Sequence, residues 1–90
     1  FNSIKINHDN LLKITSNTKF DLIFCDPPFK DTNVNDLIEL IIIKNFLKKN
    51  GIIILHRHKN TKDKLTNNLD VIEERKYGIS KIIFGRSLLA

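Results

Sequence analysis

The feature that most constrains this chain is a short apolar run that ends in an acid and two prolines. Phe20–Cys25 is apolar and aromatic apart from Asp21, which is typical of a buried strand. Pro27 and Pro28 remove backbone donors and fix φ, so the strand must stop before them. Ligands of open α/β sheets bind at the carboxyl ends of strands. Asp26 is therefore a candidate for chemistry, although Asp-Pro-Pro can equally be a turn signal.

The segment before this run predicts a strand and a brief helix. Residues 3–7 alternate enough in polarity to suggest a short strand. Asp9 and Asn10 can then cap a helix. The apolar positions of that helix are Leu11, Leu12 and Ile14.

The segment after the prolines predicts a long helix. Thr32 or Asn33 can cap it, and it runs to about Lys49, with Gly51 as its C-terminal stop. Its apolar positions at helical spacing are Val34, Leu37, Ile38, Ile41, Ile42 and Leu47. Acids near the beginning and lysines near the end suit the helix dipole, namely Asp36, Glu39, Lys44, Lys48 and Lys49.

The rest of the chain predicts a strand, a short helix and a hairpin. Residues 52–55 form a continuous apolar run, as in a parallel strand covered on both faces. A short helix is predicted over residues 61–68. Strands at 71–76 and 81–84 are joined by a turn so short that they must be antiparallel. The predicted fold is a single α/β domain with a mostly parallel sheet that ends in an antiparallel hairpin.

Charge and composition narrow the class of protein. Lys and Arg number 15 against 10 Asp and Glu, which gives a net charge of +5 and favours a polyanionic partner such as nucleic acid. A basic surface kept for solubility is an equal alternative.

Cys25, the single cysteine, cannot form an internal disulfide and is expected to be a buried thiol. No apolar stretch approaches the roughly 20 residues that cross a bilayer, so a cytoplasmic location is expected. The chain begins with Phe1 and contains no Met, so we expect it to be part of a longer protein.

These strands and their motif resemble a known enzyme family. Parallel strands ending in a hairpin, with Asp26-Pro27-Pro28-Phe29 after an interior strand, resemble the carboxyl-terminal half of class I methyltransferases, which have a Rossmann-like fold and use S-adenosylmethionine. The closest resemblance is to the RsmD family, the bacterial 16S ribosomal RNA guanine-N2 methyltransferases. It rests on residues 20–29, on Gly51 with the strand after it, and on residues 73–78.

The resemblance implies roles for the residues of the motif. Asp26 and the Pro27 carbonyl would hold the two hydrogens of an exocyclic amine, in a loop that the two prolines stiffen beside the substrate. Pro28 and Phe29 would contact the base, with Phe29 stacking on it once it is extruded, unless Phe29 simply packs under the loop. Asp9 matches an acid near the adenine amino group of the cofactor, although capping explains it equally well.

The end of the third strand predicts a basic rim. His56, Arg57 and His58 would contact RNA phosphates together with Lys59, Lys62 and Lys64, or else form solvated surface. Two histidines without a third ligand are weak evidence for a metal, so no metal site is predicted. The expected partner is ribosomal RNA or the assembling small ribosomal subunit, bound by a monomer.

The sequence also departs from the family. It has no G-x-G pattern, so the glycine-rich loop that holds the cofactor does not appear. We therefore expect these ninety residues alone to bind S-adenosylmethionine weakly and not to turn over. The two strands that normally separate the first strand from Phe20–Cys25 do not appear either. Direct parallel pairing of these two is expected, because an uncovered strand edge invites aggregation.

Two other functions stay open at this point. One is a related amino-methyltransferase that acts on DNA adenine or another RNA. The other is a non-catalytic basic module that binds nucleic acid. Phe rather than Tyr at position 29, and the lack of a separate target-recognition domain, favour the ribosomal RNA enzyme.

Overall fold

The computed structural model describes residues 1–15 and 17–90, and five strands in this part of the chain form one mixed sheet. The strands are β1 (Ser3–Lys5), β2 (Phe20–Cys25), β3 (Leu47–His58), β4 (Leu69–Tyr77) and β5 (Ser80–Ser87). A 3₁₀ helix covers Leu11–Lys13, and helix α1 covers Val34–Ile43. The order across the sheet is β1-β2-β3-β5-β4.

The strand pairing confirms the predicted α/β fold. β1 pairs with β2, and β2 with β3, in parallel, whereas β5 is antiparallel to both β3 and β4. The short β1 lies directly beside β2, with Ile4 opposite Ile23, as predicted. The hairpin turns at Gly78, whose φ is +55°. This is the partial Rossmann-like arrangement expected of the carboxyl-terminal part of a class I methyltransferase.

The core lies between α1 and one face of the sheet. Side chains alternate along a strand, so one face carries the buried residues Ile23, Cys25, Ile53, Leu55 and Ile83. Helix α1 meets that face with Val34, Leu37, Ile38, Ile41 and Ile42, as its spacing predicts. Each such side chain contributes about 1.5–3 kcal/mol over leaving it exposed, so this layer holds the end of β2 in place. The opposite face carries Leu22, Phe24, Ile52, Ile54, Ile82 and Phe84, which are only partly buried.

Helix α1 is shorter than predicted. It ends at Ile43 instead of continuing to about Lys49. Asn45 has a φ of 60°, and this left-handed conformation ends the helix. Phe46 and Leu47 then turn into the core, where both are about 2% exposed. Core packing therefore ends the helix earlier than the apolar pattern suggests.

Strand β3 is correspondingly longer than predicted. It begins at Leu47, so Lys48, Lys49 and Gly51 belong to the strand, and the assignment of Gly51 as a helix stop is wrong. The pairing of β3 with β2 is irregular at its beginning. Asn50 has a φ of 68° in this irregular stretch. A local bulge thus accommodates the lysine-rich beginning of β3 at the edge of its pairing with β2.

The prediction of a helix over residues 61–68 is wrong. This segment consists of turns and irregular structure. The Thr61 hydroxyl donates to the His58 carbonyl at 2.9 Å, and the Thr66 hydroxyl accepts from the Asn68 N–H at 3.1 Å. Such short-range side-chain bonds to the backbone compete with a helix.

The turn after β1 is held by asparagines. Oδ1 of Asn10 accepts the Asn7 N–H at 2.8 Å, and Nδ2 of Asn10 donates to the Lys5 carbonyl at 2.8 Å. The 3₁₀ helix follows Asn10, so the prediction that Asp9 shares in capping it is wrong. Among residues 1–15 and 17–90, no helix is long and apolar enough to cross a membrane.

Candidate active site

Asp26 lies where two clefts meet at the carboxyl end of β2. The side chain follows the fully buried Cys25 and is 40% exposed. A cleft of about 420 Å³ is lined by Asp26, Pro27, Pro28 and Asp9 among others. A smaller one of about 160 Å³ is lined by Asp26, Pro27, Phe29, His56, Arg57, His58, Ile79 and Ser80. The larger volume falls within the range of small-molecule sites, and the acid faces both spaces.

A buried arginine supports the proline loop from within the protein. Nε and Nη2 of Arg57 lie 2.7 and 3.1 Å from the two carboxylate oxygens of Asp63. Nη1 donates to the Pro28 carbonyl at 3.0 Å, and Nη2 donates to the Asp31 carbonyl at 2.9 Å. The Arg57 side chain is 2% exposed. This corrects the expectation that Arg57 contacts RNA, because its guanidinium N–H groups are used to hold the proline loop.

Pro27 is buried, unlike its neighbours in the motif. Its carbonyl oxygen lies 3.5 Å from Nη1 of Arg57, at the outer limit of a hydrogen bond. A carbonyl oxygen has two lone pairs, so this long contact leaves it capacity as an acceptor.

His56 joins Asp26 to strand β5. Its Nδ1 lies 2.9 Å from Oδ1 of Asp26, and its Nε2 lies 2.9 Å from Oγ of Ser80. His56 and His58 are two residues apart on β3 and share a face of the sheet, whereas Arg57 faces the helix side. The alternation along the strand thus separates the two histidines from the arginine between them.

Phe29 and His58 form an aromatic wall of the smaller cleft. Their ring centroids are 4.6 Å apart at 78°, an edge-to-face pair. Phe29 is 57% exposed, so it does not pack under the loop. Nδ1 of His58 accepts the Asn60 N–H at 3.1 Å, which holds the ring. The exposed aromatic face is free to meet a flat ligand.

Exposed lysines lie beside this wall. Lys62 and Lys64 line a third cleft, of about 480 Å³, together with Phe29, and Lys59 is exposed nearby. The segment that carries them is fixed by Lys81, whose Nζ donates to the Thr61 carbonyl at 2.7 Å. Positive charge therefore lies next to the aromatic side of the site.

Cys25 is unsuited to nucleophilic chemistry. The residue is fully buried, as predicted, and burial raises the pKa of its thiol to about 12. In the part of the chain that the structure describes, no three His, Cys, Asp or Glu side chains are grouped to hold a metal ion.

Sequence reasoning missed Asp63, Ser80 and Ile79. Asp63 lies in the segment predicted as a helix, where nothing in the sequence signals its link to Arg57. Ser80 and Ile79 belong to the predicted hairpin turn, and only the order β3-β5-β4 brings that turn beside Asp26. The alternation that places one basic residue between two histidines is the sequence signal that Arg57 faces inward.

Comparison with known proteins identifies relatives of this chain. The family model described as Conserved hypothetical protein 95 matches residues 2–86. A Ribosomal RNA small subunit methyltransferase D of Buchnera aphidicola subsp. Baizongia pistaciae is 36% identical over an alignment of 85 residues, and the match covers 81% of this chain and 43% of that protein. An uncharacterized methylase of Rickettsia prowazekii (strain Madrid E) is 37% identical over 68 residues, which cover 76% of this chain and 29% of that protein. The chain thus spans less than half the length of these relatives.

A solved structure supports the same assignment. The crystal structure of a protein described as a methylase from Haemophilus influenzae matches with a TM-score of 0.71 and 30% identity. The match covers 92% of this chain and 53% of that protein. Because the family model extends over nearly the whole sequence, the chain belongs to the RsmD family of methyltransferases.

Proposed function

We propose that the protein carrying this chain methylates the exocyclic N2 amine of a guanine in small-subunit ribosomal RNA, with S-adenosylmethionine as the methyl donor. The observation that carries the proposal is the position of Asp26, a half-exposed carboxylate at the meeting of two clefts beside a proline-stiffened loop. The name of the Buchnera relative supports the choice of RNA. The assembling small subunit is then the partner.

An amine attached to an aromatic ring is a weak nucleophile because its lone pair is delocalised into the ring. Acceptors that hold its hydrogens localise that pair on nitrogen. Oδ2 of Asp26 and the Pro27 carbonyl are the acceptors that we assign to this task. The two prolines fix the loop before substrate arrives, so little reorganisation is needed during reaction.

The larger cleft suits the cofactor. Asp9, Asp26 and Asp31 line it, so it carries three carboxylates. Asp9 is exposed and would accept from the adenine amino group, as its match to the family suggests. When bound, S-adenosylmethionine would supply a methyl group on a positively charged sulfur, and the proton that the amine loses would pass to water by way of Oδ2 of Asp26.

The smaller cleft suits the base. The exposed ring of Phe29 would stack on a base withdrawn from its helix, next to Pro28 and the edge-packed His58. The exposed lysines beyond it would meet the flanking phosphates.

The test uses the complete protein that contains this chain. It is incubated with methyl-labelled S-adenosylmethionine and small ribosomal subunits, and the labelled nucleoside is identified by chromatography. We expect N2-methylguanosine from the wild-type protein and at least about 100-fold slower formation of it by Asp26→Ala. Label in a nucleoside other than N2-methylguanosine, label in N6-methyladenine when DNA replaces the subunits, or no transfer to either nucleic acid would refute the proposal.

A further inference from the structure

A hydrogen-bonded chain runs from Asp26 across the sheet to the hairpin. It joins Oδ1 of Asp26 to Nδ1 of His56, and Nε2 of His56 to Oγ of Ser80, each at 2.9 Å. Both distances are ordinary for strong hydrogen bonds. The three residues come from the ends of β2, β3 and β5, so each bond ties together a different pair of strands.

The donor at each bond follows from the chemistry of the groups. An ionised carboxylate can only accept, so the proton between Asp26 and His56 lies on Nδ1. A neutral imidazole then has a bare Nε2, and the Ser80 hydroxyl donates to it. A charged imidazolium donates at both nitrogens, and the same hydroxyl accepts. Both hydrogen bonds of His56 can therefore form whether the imidazole is neutral or charged.

The exposure of Asp26, His56 and Ser80 differs from that of the Ser-His-Asp triad of hydrolases. In such a triad the carboxylate is buried and the hydroxyl faces the substrate. Here Asp26 is the exposed member, and Ser80 is partly buried. The reactive end is therefore the carboxylate, and the imidazole and hydroxyl lie behind it.

We propose that His56 is a positioning residue for Asp26. Its Nδ1–H holds Oδ1, which fixes the carboxylate rotamer and leaves Oδ2 turned toward the substrate amine. Among the described residues, His56 provides the one hydrogen bond found for the Asp26 side chain. This inference rests on the proposed function and replaces the direct RNA contact expected of His56.

The energetic reason is the freedom of an exposed carboxylate. With 40% of its side chain exposed, Asp26 could otherwise turn about χ1 and χ2. A displacement of about 1 Å at a reacting group can cost about 100-fold in rate. The bond to His56 removes that freedom before the substrate binds.

Two substitutions separate the two bonds of His56. The amide nitrogen of Asn lies near the place of Nδ1, so His56→Asn keeps a donor to Asp26. The amide nitrogen of Gln lies near the place of Nε2, so His56→Gln keeps the contact to Ser80 and removes the one to Asp26. In the complete protein, we expect His56→Gln to lower kcat by about 10- to 100-fold with KM for RNA and cofactor unchanged. We expect His56→Asn to recover at least about tenfold of that decrease.

Equal kcat values for the two variants would overturn the proposal. A rise in KM for RNA with kcat intact would also overturn it, because that result indicates direct substrate contact. Thermal unfolding of both variants checks that neither decrease reflects misfolding.

A second measurement does not depend on activity. NMR of isotope-labelled histidines in the wild-type protein reports which ring nitrogen carries the proton, and His56→Asn identifies the His56 signals. We expect the neutral ring to be protonated at Nδ1 and to lose that preference in Asp26→Ala. A neutral ring protonated at Nε2 would refute the pairing. If no RNA is methylated but the Nδ1 proton is found, the function is wrong and the contact stands.

Discussion

At the scale of single residues, exposure distinguishes side chains that can meet a substrate from those that hold the loop. Asp26 and Phe29 are open to solvent, whereas Arg57, near the same edge of the sheet, is buried. The sequence places all of them near strand ends, where either role is possible. Burial decides whether each side chain can contact a substrate or instead supports the loop.

Removal of the Asp26 carboxylate should lower the rate of catalysis strongly and leave cofactor binding nearly unchanged. We expect Asp26→Ala in the complete protein to lower kcat by about 10²- to 10⁴-fold, since this variant lacks an acceptor aimed at the reacting amine. The dissociation constant for S-adenosylmethionine, measured by calorimetry, should stay within about threefold, since Asp9 and Asp31 still line the cofactor cleft and Asp26 acts mainly on the amine. Asp21→Ala is the matched control, because Asp21 lies on the strand that Asp26 follows and bonds to Asn2 and Lys48, away from the site. Near-normal methylation by Asp26→Ala would contradict the role.

The Cys25 thiol should be inert while the protein is folded. Its pKa, raised to about 12 by burial, keeps it protonated from neutral pH up to mildly alkaline pH, and only the thiolate reacts. We expect a thiol reagent such as iodoacetamide to label Cys25 only after denaturant is added, as measured by mass spectrometry. Rapid labelling of the folded chain would show that the thiol is accessible.

At the scale of elements, Arg57 connects three segments of the chain from within the protein. It lies on β3, pairs with Asp63 in the irregular segment that follows, and bonds to carbonyls of the proline loop. Rigid placement of that loop therefore depends on one buried ion pair as well as on the prolines.

Removal of one member of the Arg57–Asp63 pair should destabilise the fold. We expect Arg57→Ala to lower the free energy of unfolding by about 3–5 kcal/mol, because the Asp63 carboxylate is left buried without a partner. Arg57→Lys should recover little, since an ammonium cannot match the two carboxylate oxygens and the carbonyls at once. Urea unfolding measures both.

The chain contains a matched control for this experiment. Arg75 and Glu73 form an exposed pair with Nε 3.0 Å from Oε1. Arg75→Ala should leave the unfolding midpoint almost unchanged, because water screens an exposed pair. A similar decrease in stability in Arg57→Ala and Arg75→Ala would argue against a structural role for the buried pair.

At the scale of the whole molecule, lysines occur at both ends of the sheet. Lys62 and Lys64 lie beside the aromatic wall, whereas Lys44 and Lys49 lie near the beginning of β3, at the other end of that strand. All four are exposed. Under the proposed function, position relative to Asp26 decides which of these lysines would meet RNA.

Substitution of the lysines near the site should change the salt dependence of RNA binding. We expect the double variant Lys62→Ala and Lys64→Ala to reduce the slope of log K against log salt by about 0.7 to 0.9 for each RNA phosphate that is no longer neutralised. Lys44→Ala with Lys49→Ala removes the same charge at the far end and should leave the slope unchanged. Fluorescence anisotropy with a ribosomal RNA fragment measures both. Equal slopes would show that the rim is only solvated surface.

The sequence predicted more of the sheet than of the helices. The run Phe20–Cys25 and the stop at Asp26 are present in the structure, because prolines and apolar runs act locally. The parallel pairing with β1 is also present, and it was predicted from the need to cover the edge of β2. The end of α1 was misplaced because Phe46 and Leu47 continue the apolar pattern while turning into the core. The helix over 61–68 failed because threonine hydroxyls bond to nearby backbone and Asp63 is drawn to Arg57.

By itself, the sequence determined the class of fold, the motif and the family resemblance, since strand propensity and proline geometry depend on residues close together in the chain. Only the tertiary structure decided that His56 and Ser80 stand behind Asp26 and that Arg57 lies beneath the loop. These contacts join residues 24 to 30 positions apart. Their partners are chosen by the order β2-β3-β5 and by which face of β3 each side chain takes, and both depend on how the whole core packs.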